Sequence, residues 1–139
     1  MKYILMNKIN LIEKFGLFEE RWSPKIIGEL NGQHVKLVKI FGEFAWHKHD
    51  EEDELFYVVK GSFTMELRDK PVELNEGEIF IVPRGVEHRP VATKEACLML
   101  FEPASTLNTG DVVNEKTKTV LDKRIDFDNC YKIVGAESS

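Results

Sequence analysis

The chain has only two cysteines in 139 residues, Cys97 and Cys130. They lie far apart, and Cys97 sits inside the apolar run "ACLMLF", so a small buried hydrophobe is the expected role for it. Neither a disulfide framework nor a cysteine-based zinc site is expected. No stretch has enough apolar residues to span a bilayer, and the opening "MKYILMNKINLI" is too short in its apolar part to serve as a secretory h-region. There is no block of Lys and Arg either: 19 basic residues stand against 24 acidic ones, for a net charge of −5. Nucleic acid and anionic membrane are therefore not expected partners. A Gly-rich phosphate loop and a nucleophile elbow are also missing. These absences point to a reduced, cytoplasmic protein.

What is present is strand grammar. At 42% hydrophobic residues the chain can bury a core without staples. Near the start, Asn10 can cap a helix with Glu13 three residues on, and Leu11, Ile12, Phe15 and Phe18 form one apolar stripe, which predicts a short amphipathic helix over 11–19. Beyond "RWSP", the pair Asn31-Gly32 between "KIIGEL" and "HVKLVKIF" is a two-residue hairpin signal. Further strands are expected at "LFYVV", "SFTMELR", "EIFIV" and "CLMLF". They are separated by turns at Lys60-Gly61, Asp69-Lys70-Pro71, Asn75-Glu76-Gly77 and Pro83-Arg84-Gly85. Short strands with no helix between them predict an all-β antiparallel barrel or jelly roll. After Pro103 the pattern fades into an irregular tail that can wrap the barrel or a partner subunit. One domain over 1–139 is expected, with an N-terminal arm to about residue 30 and a C-terminal extension from 104 to 139.

The densest chemistry lies in "WHKHDEEDE", where two histidines and five acidic residues occupy nine positions. If residues 43–49 form a strand, His47 and His49 project to one side while Trp46 and Lys48 project to the other. A turn at 50–53 then brings Glu54 in from the next strand, with Phe56 and Val58 on its face. His88, after the tight "PRG" turn, heads a further strand and can close the set. Neutral imidazoles with a carboxylate suit Zn, Fe, Mn, Ni or Cu, and three histidines with one glutamate leave one or two positions for water or substrate.

At these residues the sequence resembles the cupin superfamily. Its first motif is matched by Gly42, His47, His49, Glu54 and Gly61, with four residues between the histidine pair and the glutamate and six between glutamate and glycine. Its second is matched by Gly77, Pro83, Gly85 and His88. Two positions depart from the pattern: four residues rather than five separate Gly42 from His47, and Ala92 stands where the second motif ends in Asn. The motif core runs from 42 to 92. The flanking "RWSP" and "EPASTLNTGD" look like short bacterial single-domain cupins often labelled as similar to mannose-6-phosphate isomerase, a label that rests on fold-level analogy. The resemblance implies a double-stranded β-helix, or cupin barrel, holding one divalent transition metal through His47, His49, Glu54 and His88.

Around these ligands, Asp50, Glu51, Glu52 and Asp53 read as a solvated turn, with Asp53 the nearest substitute for Glu54. Arg84, Glu87 and Arg89 flank His88 and are candidates for greeting an anionic substrate or orienting the ligand. Phe56, Val58, Phe80 and Val82 read as pocket wall or core, and Trp22 and Trp46 as packing residues. His34, beside the Asn-Gly hairpin, reads as surface. Glu43 is a weak candidate for a general base, on the histidine face if the strand is regular. The resemblance implies metal-dependent isomerisation, epimerisation, decarboxylation or oxygen insertion on a small polar substrate. A non-catalytic metal- or ligand-binding module is the other reading. Exposed strand edges and an apolar N-terminal segment make a homodimer the natural way to cover surface.

Overall fold

In a computed structural model, the described residues are 6–117, together with the backbone of a short strand pair at Tyr3–Ile4 and Ile133–Val134. The elements run β1 (Tyr3–Ile4), α1 (Leu11–Phe15), β2 (Lys25–Leu30), β3 (Gln33–Glu43), β4 (Glu54–Lys60), β5 (Ser62–Leu67), β6 (Pro71–Asn75), β7 (Ile79–Val82), β8 (His88–Pro103) and β9 (Ile133–Val134). Cys130 and most of the expected C-terminal extension lie outside the described residues. No helix among the described residues is long and apolar enough to cross a membrane.

The topology is that of a jelly-roll β-barrel, as the strand pattern predicts. The central strand is β8, which pairs with β3 along nearly its whole length, from Gln33↔Pro103 to Glu43↔Val91. On its other edge β8 changes partner. Residues 88–91 pair with β5 and residues 97–101 with β4, so the sheet splits and curls. The β4–β5 turn passes across the split at Gly61, whose φ is +88° and where a Cβ would lie 3.2 Å from the Glu95 carbonyl oxygen. Glycine is required there by both space and conformation. Asn31 and Gly32, at φ 50° and 77°, make the two-residue hairpin between β2 and β3, with Leu30 opposite Gln33.

Period-2 alternation sends one side of each strand inward. β4 reads buried at Glu54, Phe56 and Val58, with half-buried residues between them. Val58, Met65 and Ala96 are fully buried in the barrel core, joined by Ile40, Leu98 and Phe63. A second, outer cluster forms where Phe15 and Phe18 cover Leu37, Ile27 and Cys97 on the back of the sheet. Cys97 is a buried free thiol, as expected, and burial pushes its pKa up.

Four local expectations are corrected. The helix is shorter than 11–19, because the Gly16 N–H turns back onto the Glu13 and Ile12 carbonyls and ends it; Ile12 is left exposed. Pro71 begins β6 rather than sitting in a turn; among the described residues β6 pairs only with β5, and an outer strand tolerates the missing donor. The segments before and after "KEA" are one strand, β8, rather than two. Finally, β3 stops at Glu43. Its register shifts between Ile40 and Gly42, and Gly42 takes φ +86°, so the chain leaves the sheet before the histidines.

Candidate metal centre

Although 43–49 is not a regular strand, His47 and His49 reach the same point. The segment that carries them is tied down on three sides. The His47 N–H donates to the His88 carbonyl at 3.1 Å and the His88 N–H returns the bond at 2.9 Å. The Gly85 N–H of the "PRG" turn donates to the His49 carbonyl at 2.8 Å. From the far side, the Asp111 N–H donates to the Lys48 carbonyl at 3.0 Å, while Asp111 Oδ1 accepts the Lys48 N–H at 2.9 Å. Part of the irregular stretch after Pro103 thus closes over the histidine segment.

The three imidazoles offer ligand atoms that all lie within 4.8 Å of one another, and all three residues are buried. The His47 and His88 rings stand 4.3 Å apart between centroids, and those of His47 and His49 5.1 Å. Backbone carbonyls fix two of the rings: His47 Nδ1 donates to Ala45 O at 2.8 Å and His88 Nδ1 to Val86 O at 2.9 Å. In the neutral ring this leaves Nε2 as a bare acceptor, the form that binds metals. Glu54, the first residue of β4, places Oε1 3.2 Å from His49 Nε2 and 3.4 Å from His88 Nε2. His49 Nε2, His88 Nε2 and Glu54 Oε1 are all buried without a hydrogen-bond partner among the described residues. Three acceptors facing one another without a donor are costly unless a cation stands between them.

The electrostatics agree. Burial, and then the neighbouring His88, lower the His47 pKa to about 4, so its ring is neutral at pH 7. Burial alone would raise the Glu54 carboxyl, but the adjacent His49, His88 and Glu102 side chains hold it well below the usual carboxylate range. Glu102 shows the converse: burial and the adjacent Glu54 carboxylate push it well above that range, against the pull of Lys36.

The cluster opens on a cavity of about 40 Å³ inside the barrel. At roughly 10–15 Å³ per water that is room for about three waters. His47, Glu54, Glu102 and Asn108 supply its polar lining; the rest is apolar, including Trp22, Phe44 and Phe56. Trp22 stacks on Phe44 at 4.6 Å, and Phe44 meets the His47 ring edge-on at 5.3 Å, so aromatic packing supports one ligand from behind.

The remaining candidates are placed elsewhere. Glu43, the last residue of β3, is exposed and sits 3.5 Å from Arg89, past the register shift between Ile40 and Gly42; it does not join the histidines. Arg84 is exposed and holds Asp53, whose Oδ1 accepts the Arg84 N–H at 2.8 Å; these bonds keep the Asp53 pKa low. Asp53 is therefore a turn clamp. Glu87 pairs with Arg68 at 2.9 Å and Arg89 with Glu66 at 2.7 Å. Arg68 in turn lies over the Trp46 ring at 3.9 Å. Phe56 lines the cavity, whereas Val58 and Val82 are core, Phe80 packs against the core and His34 is half-buried. Sequence reasoning missed Lys36 and Glu102. Both carry charge at inward positions of apolar strands, between Val35 and Leu37 and after Leu98 and Leu100, which is a signal that alternation contains.

Residues 35–102 match the cupin domain family model. A crystal structure of a cupin-2 domain containing protein from Shewanella frigidimarina is similar to this chain, with 45% identity and a TM-score of 0.68 over 68% of this chain and 93% of that one. The chain belongs to the cupin family. It is also 32% identical to an uncharacterised Bacillus subtilis protein, YdbB, over 58% of this chain and 72% of the relative. A 3-hydroxyanthranilate 3,4-dioxygenase from Aspergillus fumigatus is 32% identical over 53% of this chain, which spans 42% of that enzyme's length.

Proposed function

We propose that the chain is a metal-dependent cupin enzyme in which His47, His49, His88 and Glu54 hold one divalent transition-metal ion, either Zn, Fe, Mn or Ni. One observation carries this reading: a buried set of imidazole nitrogens and a carboxylate oxygen face one another with no protein donor among them. The donor set of three nitrogens and one oxygen suits such an ion and leaves coordination positions for a small substrate. A bound ion would supply Lewis acidity or an oxygen-activating centre. The chain's own residues fix the imidazole tautomers, keep His47 unprotonated and exclude bulk water with apolar walls.

Between isomerase and dioxygenase chemistry, the cavity favours the second. Among the described residues no Lys or Arg lines it, and its aromatic and aliphatic walls suit a small apolar body bearing polar groups better than a sugar phosphate. Likeness to a dioxygenase over half of this chain supports the same direction. The mannose-6-phosphate isomerase-like reading gains no support from this lining. A binding module without turnover shares the same metal site and is separated by assay.

The test is metal analysis of protein purified without a histidine tag, beside His47→Ala and His88→Ala. Near-stoichiometric metal in the parent alone is expected, and equal, negligible metal in all three would remove the site. Oxygen uptake with catechol-like compounds, run against isomerase assays with sugar phosphates and dicarbonyls, then assigns the reaction.

A further inference from the structure

A second hollow lies on the outer side of the sheet, away from the histidines. It measures about 270 Å³ and runs between α1 and the strands, lined by Ile12 and Phe15 of the helix and by Lys39, Cys97, Lys60 and Glu95 of the sheet. Register explains its shape. Cys97 on β8 pairs with Lys39 on β3 and with Lys60 on β4, so the three side chains form one row on one face, a short apolar one between two long cationic ones. Neighbouring strands lie about 4.8 Å apart, which sets the two lysine backbones roughly 10 Å from each other with the thiol as the floor.

The two ammonium groups are not neutralised from within. Lys39 Nζ donates to the Phe18 carbonyl at 2.7 Å and stands 5.1 Å from the Phe18 ring centroid, and among the described residues neither Lys39 nor Lys60 has an ion-pair partner. Glu95 does not serve them, because its carboxylate is held by Arg21 at 2.9 Å. Lys39 is half-buried beside apolar groups, where a cation without a counter-charge is costly. Phe15 forms a buried inner wall, and Ile12 at the rim is 63% exposed and extends the apolar surface. Positive charge over an apolar wall calls for an anion with an apolar body, and the Glu95 carboxylate at the edge disfavours a second negative charge on it.

We propose that this hollow binds a small aliphatic monocarboxylate, with its tail against Ile12, Phe15 and Cys97 and its carboxylate between the Lys39 and Lys60 ammonium groups. The site is separate from the metal centre. Cys97 belongs to the outer cluster, whereas its neighbours Ala96 and Leu98 point into the barrel core, so the sheet itself stands between the hollow and the histidines. Occupancy therefore needs no metal, and the proposal stands or falls independently of the function proposed above.

Octanoate is the probe, titrated into the untagged full-length chain by calorimetry, with octanol as the uncharged control of equal length. A carboxylate can also ligate a metal, so the titration is run on the protein as purified and again after chelation and dialysis, and amide NMR shifts locate the bound molecule. The expected result is one octanoate per chain in both preparations, with shifts centred on Lys39, Lys60 and Cys97. Octanol should bind about tenfold more weakly or less, since a charge-assisted hydrogen bond is worth about a factor of ten. Lys60→Met, at an exposed position that the fold does not need, and Lys39→Met should each weaken octanoate about tenfold and leave octanol unchanged. Absence of octanoate binding, equal binding of octanoate and octanol, or unchanged affinity in folded Lys60→Met and Lys39→Met overturns the proposal. Binding that disappears with the metal, or shifts centred on the histidines, overturns it as well. Amides of the hollow that shift with protein concentration and not with octanoate overturn it and give this face to a second copy of the chain.

Discussion

His47 and His88 are joined twice. Their backbones exchange hydrogen bonds at 3.1 and 2.9 Å, and their rings face each other with centroids 4.3 Å apart. The backbone therefore brings the two imidazoles together, and burial with this neighbour explains why His47 resists protonation, its pKa falling to about 4.

A pH dependence follows for protein stripped of metal. Unfolded, His47 titrates near the ordinary 6.5; folded, near 4. Above about pH 6.5 neither state carries the proton. As pH falls from 6.5 to 4 the unfolded state takes it up and the folded state does not, so stability drops, levelling off below 4. At about 1.4 kcal/mol per unit the full effect is ~3 kcal/mol. Glu102 works with the opposite sign, since its raised pKa lets the folded state keep a proton that the unfolded state gives up, and stability falls as pH rises through that range. The His47 share is thus the difference between parent and His47→Gln in urea melts from pH 7.5 to 4. Parallel curves for the two proteins would refute it.

Gly110 is where the chain after β8 closes on the histidine segment. Its φ is +60°, and a Cβ there would fall on the Lys48 carbonyl oxygen and stand 2.9 Å from His47 Cδ2. Backbone cannot yield as a flexible side chain can. Gly110→Ala should cost clearly more than the ~1 kcal/mol of left-handed strain alone, and should weaken metal binding by moving His47. Gly77→Ala is the control, because Gly77 has φ +86° but open space around it. Thermal melts and metal titration of both variants decide the matter: equal losses in the two would show that the close approach does not matter.

These relationships mark the limit of what the sequence shows. Asn31-Gly32, the histidine pair with Glu54, and the "PRG" turn before His88 are legible because turn chemistry and spacing are local. Glu43 misleads because the shift between Ile40 and Gly42 changes the face on which later residues fall, and a bulge leaves little trace in a string of letters. The Lys36–Glu102 pair is hidden for another reason: it depends on the register of two strands 66 residues apart. Arg84 and Glu87 look like site residues by adjacency to His88, but alternation and the turn send them outward to Asp53 and Arg68.

The acidic turn offers a direct check on that outward placement. Asp53 and Arg84 are both more than half exposed and hold each other across the β4 and β7 ends. Exposed pairs of this kind contribute roughly 0–1 kcal/mol. Asp53→Asn and Arg84→Ala should therefore leave metal stoichiometry unchanged and shift stability only slightly, whereas Glu54→Gln should lose metal. Metal analysis of the three variants is sufficient; loss of metal in Asp53→Asn would return Asp53 to the ligand set.

The outer face of the sheet carries the last prediction. Ile79 and Ile81 on β7 are 55% and 54% exposed. Ile81 pairs with Leu55, which pairs with Phe101, and Ile79 pairs with Tyr57, which pairs with Met99. Two apolar rows thus cross β7, β4 and β8 without a charge, ending at a strand whose outer edge has no partner among the described residues. Patches of this kind mark interaction surfaces, and a two-fold pairing of identical charge-free faces satisfies both copies at once. The expected species is a homodimer that buries these rows. Sedimentation should show a dimer for the parent and a monomer for Ile79→Lys/Ile81→Lys, with the metal site and fold of the variant intact because neither side chain enters the barrel. A monomeric parent, or a dimer that survives both lysines, would move the interface elsewhere or remove it.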